Sequence, residues 1–260
     1  MAGKIILVGL LLLMAAVSAR SEPAQNKPEM PESTMQRPKV IFLDVNETLL
    51  DLAPLKKSVG KALDGKEELL PLWFSTMLHY SLVETLSGTY HHFSEIGVAA
   101  LMMVAESKGI ELEREEAEEA IVPVLRSLPA HADVKEGLKS LKDQGFTLVS
   151  LTNSSNEGVK AQFENAGLID LVDQRLTVED TKKFKPHQEV YRWAMDKLGV
   201  DAGEAMMVAA HAWDIAGADA AGMRTVFVKR PGKVAYPLAK SPDHTVQDLK
   251  ELAALMESQK

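Results

Sequence analysis

Asp44 is the residue of this chain whose surroundings most clearly suggest chemistry. It follows the apolar run Val40–Leu43, and a hydroxyl residue, Thr48, lies four positions after it. A short apolar run that ends in an acid is typical of a buried strand that brings a carboxylate to the edge of a sheet. We therefore predict that Asp44 is a nucleophile rather than a helix N-cap, which is the structural alternative for an aspartate at such a position.

Polar residues also follow three later segments. They are Thr152 with Asn153, Lys185 before Pro186, and His211 with Asp214. Reactive groups of open α/β sheets collect at the carboxyl ends of the strands, so we expect these side chains to meet Asp44 at one sheet edge. Taken singly, Lys185 is equally consistent with a surface lysine, Trp213 with a core aromatic and Thr152 with a helix cap.

The elements that must position these residues alternate between strands and helices after residue 130. The predicted strands are 146–151, 206–210 and 225–228, and the predicted helices are 157–165, 187–198 and 213–221. This alternation indicates an α/β fold with a doubly wound parallel sheet. Residues 52–129 have apolar positions three or four apart, which predicts helices and no strand.

The helical block separates the first strand from its partners, so we interpret it as an insertion. We predict an α/β hydrolase core formed by residues 38–50 and 130–260, and a helical cap domain formed by residues 51–129. The apolar cap helices, such as residues 97–104, suggest a surface for a possible homodimer.

The N-terminal segment resembles a secretory signal peptide. Lys4 precedes an apolar stretch from Ile5 to Val17, and Val17-Ser18-Ala19 fits the small-residue cleavage rule. The apolar stretch is shorter than the roughly 20 residues that span a bilayer. We therefore predict a signal peptide over residues 1–19, a flexible linker over residues 20–37, and export to the periplasm or the medium without stable membrane association afterwards.

Composition excludes several classes of function. The chain has 260 residues, 46% of them hydrophobic, with a net charge of −8, and it contains no cysteine. An acidic surface repels nucleic acids and anionic lipids, so we expect no nucleic-acid partner. Without cysteine the protein forms neither disulfides nor thiolate metal sites, and its stability must come from packing.

An acid, a hydroxyl, a lysine and a second acid, in this order at successive strand ends, resemble the haloacid dehalogenase superfamily. Two further motifs make the chain similar to the type II, L-specific 2-haloacid dehalogenases. They are Lys185-Pro186 with Tyr191 six positions after the lysine, and Ala212-Trp213-Asp214 followed by Gly217-Ala218. The resemblance runs from Lys39 to about Leu249 and implies hydrolysis of short 2-haloalkanoic acids without a metal or cofactor.

The resemblance also implies roles for individual residues. Asp44 would attack the halogen-bearing carbon and form an ester that water then hydrolyses, while Thr48 orients the nucleophile. Lys185 would keep Asp44 ionised, because a lysine beside two carboxylates lowers their pKa values. Asp214 would position the water, and Tyr191 would support the lysine.

The same resemblance assigns the substrate and halide contacts. Thr152 and Asn153 would hold the substrate carboxylate and the departing halide. Trp213 and Phe93 would form an apolar wall around the halide, and Tyr191 is also assigned to these substrate and halide contacts.

Two positions argue against the alternative of a magnesium-dependent phosphatase of the same superfamily. Phosphatases carry a second aspartate two residues after the nucleophile and an acid four residues before Asp214, and this chain has Asn46 and Ala210 there. An amide cannot donate a proton as an acid does, and an alanine cannot bind a metal. A phosphatase with an eroded metal site and a catalytically silent small-molecule-binding protein remain the alternatives.

The chain also departs from the type II dehalogenases. Phe74 stands where they have arginine, Glu47 where they have glycine, and Ala209 and His211 where they have serine and asparagine. Since Glu47 and His211 follow strands that should be neighbours, we hypothesise a pair in which Glu47 orients His211 and the imidazole activates the hydrolytic water. The alternative is that His211 bonds only to backbone and Glu47 faces solvent.

The missing arginine leaves open which group supplies a cationic contact. His91 and His92, in the predicted cap, are candidates for that replacement, although adjacent histidines on a helix are commonly structural or exposed.

Overall fold

The computed structural model describes residues 37–259. The predicted signal peptide and nearly all of the predicted linker lie outside the described residues. Within them, one parallel six-stranded sheet has helices on both sides, as the doubly wound prediction requires. The strands are β1 (Val40–Leu43), β2 (Thr147–Thr152), β3 (Gln174–Thr177), β4 (Ala205–Ala209), β5 (Arg224–Val228) and β6 (His244–Val246).

The strand order is β3-β2-β1-β4-β5-β6. Strands β2 and β3 thus lie on one side of β1 and strands β4 to β6 on the other, so the strand order changes direction between β1 and β4. In doubly wound sheets, ligands bind outside the strand ends at such a switch point. Leu43, the last residue of β1, is in register with Ser150 of β2 and Val208 of β4. The residues that follow β1, β2 and β4 must therefore lie together.

Nine α-helices occur among residues 37–259. They are α1 (Ala53–Ala62), α2 (Leu70–Ser87), α3 (Phe93–Ser107), α4 (Arg114–Arg126), α5 (Val134–Asp143), α6 (Asn156–Ala166), α7 (Gln188–Leu198), α8 (Ala212–Ala220) and α9 (Leu249–Ser258). Helices α1 to α4 fill the segment between β1 and α5, where helices and no strand were predicted. That this segment acts as a cap stays a prediction.

The ends of the predicted elements differ from the observed ones by about one residue, because capping groups decide them. Ser155 accepts a hydrogen bond from the backbone of Gly158 and starts α6, and His187 precedes α7 as its N-cap. Gly199 ends α7 in the left-handed conformation, which glycine adopts without strain.

Four elements of the α/β core, β3, β6, α5 and α9, were not predicted. Strands β3 and β6 lie at the two edges of the sheet, are three or four residues long, and include exposed positions. Short edge strands lack the continuous apolar run that marks a strand buried on both faces, and this explains why the pattern did not reveal them.

Most of residues 97–104 are buried within the monomer, so they offer little surface to a partner, and the homodimer stays a prediction. Val98, Leu101 and Val104 are all at most 3% exposed. Gly97 lies so close to α2 that an added Cβ would be 3.1 Å from the sulfur of Met77. In the part of the chain that the structure describes, no helix is both long and apolar enough to cross a membrane.

Candidate active site

The turn after β1 holds Asp44 against β4. The Thr48 hydroxyl donates to Asp44 Oδ2 over 2.6 Å and accepts from the backbone N–H of Ala210 over 2.9 Å. Backbone bonds from Leu49 and Leu50 to the carbonyl of Val45 close the turn. The carboxylate is thus fixed at the switch point of the sheet.

Lys185 is buried between the two predicted acids. Its Nζ donates to Asp44 Oδ1 over 2.9 Å, to Asp214 Oδ2 over 2.6 Å and to the carbonyl of Leu151 over 2.8 Å. An ammonium group has three protons, so all of its donors are satisfied. Its backbone N–H also donates to Asn153 Oδ1, which ties the lysine to the end of β2.

These contacts move the pKa values of the three groups in different directions. Burial alone would raise the pKa of Asp44, but Lys185, His211 and Thr48 together hold it well below its usual range. Burial opposes the charge of Lys185, yet the two carboxylates raise its pKa. Asp44 and Lys185 are therefore both ionised at neutral pH.

Lys185 lowers the pKa of Asp214 as expected, but it does not set the direction of the net shift. The pKa of Asp214 is raised, because complete burial and repulsion from Asp44 outweigh the attraction of Lys185. Asp214 is wholly buried and does not line the cavity beside Asp44. Its position fits support of Lys185 better than the expected contact with a water molecule.

Tyr191 also differs from its expected position. Its hydroxyl donates to Asp214 Oδ1 over 2.5 Å and contacts the backbone carbonyl of the same residue at 3.2 Å. The ring is fully buried and does not line the cavity, so the assignment of Tyr191 to the substrate contacts is corrected. It supports Asp214 and reaches Lys185 only through that carboxylate.

His211 lies between two carboxylates. Its Nδ1 is 3.0 Å from Asp44 Oδ2, and its Nε2 is 2.8 Å from Glu47 Oε2. The hypothesised contact between Glu47 and His211 is therefore present. The contact of His211 with Asp44 was not predicted.

Two anionic partners make His211 a stronger base than an ordinary histidine. Burial lowers its pKa, but the hydrogen bonds and charges of Asp44 and Glu47 raise it to about 9. The imidazole is therefore an imidazolium at neutral pH while Asp44 is ionised. In that state it cannot accept a proton, so the expected general-base role does not apply to the free protein.

A narrow cavity with room for about one water molecule opens beside Asp44. Its lining consists of Asp44, Asn46, Phe74, Leu78, Phe93, Thr152, Asn153, His211 and Trp213. The rings of Phe74 and Trp213 stack on His211 with centroids 5.9 and 4.9 Å away. Helices α2 and α3 thus contribute an apolar wall above the carboxylate.

Thr152 and Asn153 lie in this lining, at the end of β2. Thr152 Oγ1 accepts from the backbone of Ser154 over 3.1 Å. Asn153 Nδ2 is buried and has no hydrogen-bond partner among the described residues. A buried donor without a partner is unfavourable, so this amide is suited to bind an anion that enters the cavity.

His91 and His92 do not replace the missing arginine. His91 Nδ1 contacts Glu84 at 2.7 Å on the surface, and His92 Nδ1 contacts Glu179 at 3.2 Å. Neither lines the cavity, whereas the adjacent Phe93 does.

The donor set does not fit a divalent cation. Lys185, Thr48 and His211 occupy the oxygens of Asp44, and Ala210 offers no side-chain ligand. Among residues 37–259, no group of three or more histidine, aspartate and glutamate side chains is arranged to hold a metal ion.

Three residues at the site were given no role there by the sequence analysis. Asn46 lines the cavity, Arg230 donates from Nε and Nη2 to the carbonyl of Thr48, and Lys233 pairs with Glu47. Arg230 and Lys233 come just after β5. The strand-end rule that identified the other residues would have found both if it had been applied to that strand.

Comparison with known proteins agrees with this geometry. A family model for haloacid dehalogenase-like hydrolases matches residues 38–222. The (S)-2-haloacid dehalogenase 1 of Pseudomonas sp. strain CBS-3 is 34% identical, and the match covers 82% of this chain and 94% of that protein.

Solved structures give the same result for the fold. A dehalogenase crystallised with an intermediate complex is 29% identical, with a TM-score of 0.76 over 84% of this chain and 97% of that one. The L-2-haloacid dehalogenase of Xanthobacter autotrophicus, solved with chloropropionic acid covalently bound, has a TM-score of 0.80 at 23% identity, covering 86% of this chain and all of that one. This protein belongs to the haloacid dehalogenase-like hydrolases.

Proposed function

We propose that this protein is a hydrolytic dehalogenase that cleaves the carbon–halogen bond of short 2-haloalkanoic acids through an ester on Asp44. The observation that carries the proposal is the contact of Asp44 with Lys185, which is buried and whose ammonium group donates three hydrogen bonds. This contact keeps the carboxylate anionic at neutral pH, as a nucleophile must be. The similarity to (S)-2-haloacid dehalogenases over most of the chain supports the substrate class.

The first step is an in-line displacement. A carboxylate oxygen of Asp44 forms a bond to carbon 2 of the substrate, while the carbon–halogen bond breaks and the halide leaves with its electron pair. A halide is a weak base and needs no proton, which agrees with Asn46 in place of an acid. Asn153 Nδ2 and the Thr152 hydroxyl are the neutral groups that we assign to the substrate carboxylate and the halide.

The second step is hydrolysis of the ester. Water adds to the carbonyl carbon of residue 44 and loses a proton, and the products are the 2-hydroxy acid and the regenerated carboxylate. An ester carries no charge, so its formation removes one of the two anions that raise the pKa of His211. We propose that the imidazolium then releases its proton to solvent, that the neutral His211 accepts the proton of the attacking water, and that Glu47 stabilises the imidazolium that forms again.

We further propose that the helices of residues 51–129 act as a cap over this site, because Phe74, Leu78 and Phe93 come from them. Export to the periplasm or the medium also remains a proposal. It is supported by the apolar stretch and the small-residue cleavage pattern at the start of the sequence.

The test is halide release from bromoacetate and 2-chloropropionate, with and without EDTA. We expect release that the chelator does not affect, that Asp44→Asn abolishes, and that Asp170→Asn, on the exposed surface, leaves unchanged. After one turnover in ¹⁸O-water, mass spectrometry should find the label on residue 44. Hydrolysis of p-nitrophenyl phosphate that depends on magnesium, without halide release, would instead identify a phosphatase.

A further inference from the structure

Lys233 contacts the carboxylate that holds His211. Its Nζ lies 2.6 Å from Glu47 Oε2, the same oxygen that His211 Nε2 contacts at 2.8 Å. Lys233 Nζ is also 5.9 Å from the centroid of the Phe74 ring, which stacks on His211. The ammonium therefore lies on the outer side of the site, behind Glu47.

The turn after β5 holds Lys233 in this position. Gly232 has φ +76°, and the backbone N–H of Lys233 donates to the carbonyl of Arg230 over 2.9 Å. The Arg230 side chain is buried and donates to the carbonyl of Thr48 and to both oxygens of Asp133. One short turn thus contacts the Asp44–Thr48 loop twice, at the backbone of Thr48 and at the side chain of Glu47.

Glu47 is held in an unfavourable backbone conformation. Its φ is +60°, in the left-handed region that favours glycine and is strained for other residues. A non-glycine residue persists there only where its surroundings compensate for the strain. The two contacts of the Glu47 carboxylate, with His211 and Lys233, supply that compensation.

The charged groups of the site alternate in sign. The order is Asp214, Lys185, Asp44, His211, Glu47 and Lys233. Asp44 and Glu47 face His211 directly, Lys185 lies beyond Asp44, Lys233 lies beyond Glu47, and the other packed groups are the rings of Phe74 and Trp213. Asp44 and Glu47 therefore make His211 more basic, and Lys185 and Lys233, each paired with one of these carboxylates, weaken that effect.

We propose that Lys233 is a positioning residue for the hydrolytic step, which it serves by holding Glu47 in place and limiting the basicity of His211. This inference rests on the proposed dehalogenase function. Lys233 itself touches neither the cavity nor Asp44, so it acts through Glu47. Without Lys233, the full charge of Glu47 acts on His211, and the imidazolium releases its proton less readily.

The experiment compares Lys233→Met and Lys233→Arg, with Lys229→Met as a matched control. Lys229 is exposed on the same turn. The readouts are the pH dependence of kcat with bromoacetate and the fraction of residue 44 trapped as ester after an acid quench. NMR titration of His211 measures its protonation independently of turnover.

We expect Lys233→Met to move the acid limb of the kcat profile upward by about one pH unit, which lowers kcat about tenfold on that limb. Ester should accumulate on residue 44, the His211 titration should move in the same direction, and the rate of ester formation should stay unchanged. Lys233→Arg should restore the profile and Lys229→Met should not alter it.

Two results would overturn the inference in distinguishable ways. If the wild type releases halide and Lys233→Met matches it in profile, ester level and His211 titration, the role of Lys233 is refuted and the dehalogenase function stands. If the wild type releases no halide from any haloacid, the proposed function fails and this inference fails with it. The circular dichroism spectrum and thermal unfolding transition of each variant are measured first, to establish that it is folded.

Discussion

Lys185 Nζ donates to Asp44 Oδ1 over 2.9 Å across 141 positions of sequence, and neither side chain is more than 6% exposed. Ion pairs on a surface contribute little, whereas a buried charge that loses its partner is strongly unfavourable. The pair therefore links catalysis to stability, and the two effects can be measured on the same variants.

Lys185→Met removes the cation and leaves two buried carboxylates without it. We expect a loss of about 3–5 kcal/mol in the free energy of unfolding, measured by urea denaturation at pH 7. Halide release should fall by about two to three orders of magnitude, the range seen when one preorganised electrostatic contact is lost. Lys56→Met, which removes an exposed lysine, is the control and should match the wild type in both measurements. Retention of wild-type turnover in Lys185→Met would contradict the role assigned to the buried pair.

Thr48 makes a second testable link, between the nucleophile and β4. Thr48→Val keeps the shape but removes the hydroxyl, which leaves the buried N–H of Ala210 without its acceptor. We expect a loss of about 1–3 kcal/mol in unfolding free energy together with a lower kcat. Thr48→Ser keeps both hydrogen bonds and should recover most of each quantity. Equal behaviour of the valine and serine variants would show that the methyl group, and not the hydroxyl, is what matters.

His211 should give stability a defined dependence on pH. Its pKa is about 9 in the folded protein against 6.5 for an unperturbed histidine, so the folded state holds the proton more tightly. The resulting stabilisation is fully present below pH 6.5 and is lost as the pH rises through 9. We expect the difference in unfolding free energy between wild type and His211→Asn to shrink by about 3 kcal/mol between pH 6 and pH 9.5. The other histidines are common to both proteins and cancel in this comparison. A difference that is constant across this range would mean that His211 has the same pKa in the folded and unfolded states, and a difference that grows with pH would mean that it is neutral in the folded state.

Gly217 permits the close packing of α8 against Tyr191. A Cβ at this position would lie 2.5 Å from Cβ of Pro186 and 2.7 Å from the Tyr191 hydroxyl. Gly217→Ala should therefore destabilise the protein by about 1–3 kcal/mol and reduce turnover, because Tyr191 must move away from Asp214. Gly203→Ala is the matched control, since nothing lies within 4 Å of a Cβ there. Thermal unfolding and halide release of the two variants test the point, and equal melting temperatures would refute it.

Much of the architecture could be predicted because the local pattern is strong where strands are buried on both faces. The run before Asp44 is apolar at every position, and it is the central strand β1, with neighbours on both sides. The edge strand β6 could not be predicted in this way, since its three residues include an exposed one and its pairing depends on β5. Patterning thus identifies the strands in the middle of a sheet better than those at its edges.

The contact between Glu47 and His211 was predictable because it follows from strand order alone. Residues that follow neighbouring parallel strands must meet, whatever lies between them in sequence. The charge of His211 was not predictable, because it depends on Asp44 being within 3.0 Å of the other ring nitrogen. The same limit applies to Tyr191. Its spacing from Lys185 predicted a contact with the lysine, but its hydroxyl donates to Asp214 instead.

The sequence by itself determined which strands are followed by reactive side chains, which acid is the candidate nucleophile, and the family to which the chain belongs. These depend on residue type and spacing, which are local properties. Only the tertiary structure decided how the charges are arranged. His211 lies between two carboxylates, Tyr191 supports Asp214, and Lys233 contacts Glu47 from the turn after β5. The physical reason is that a pKa depends on burial and on neighbours brought from distant parts of the chain, and neither is encoded in any single segment.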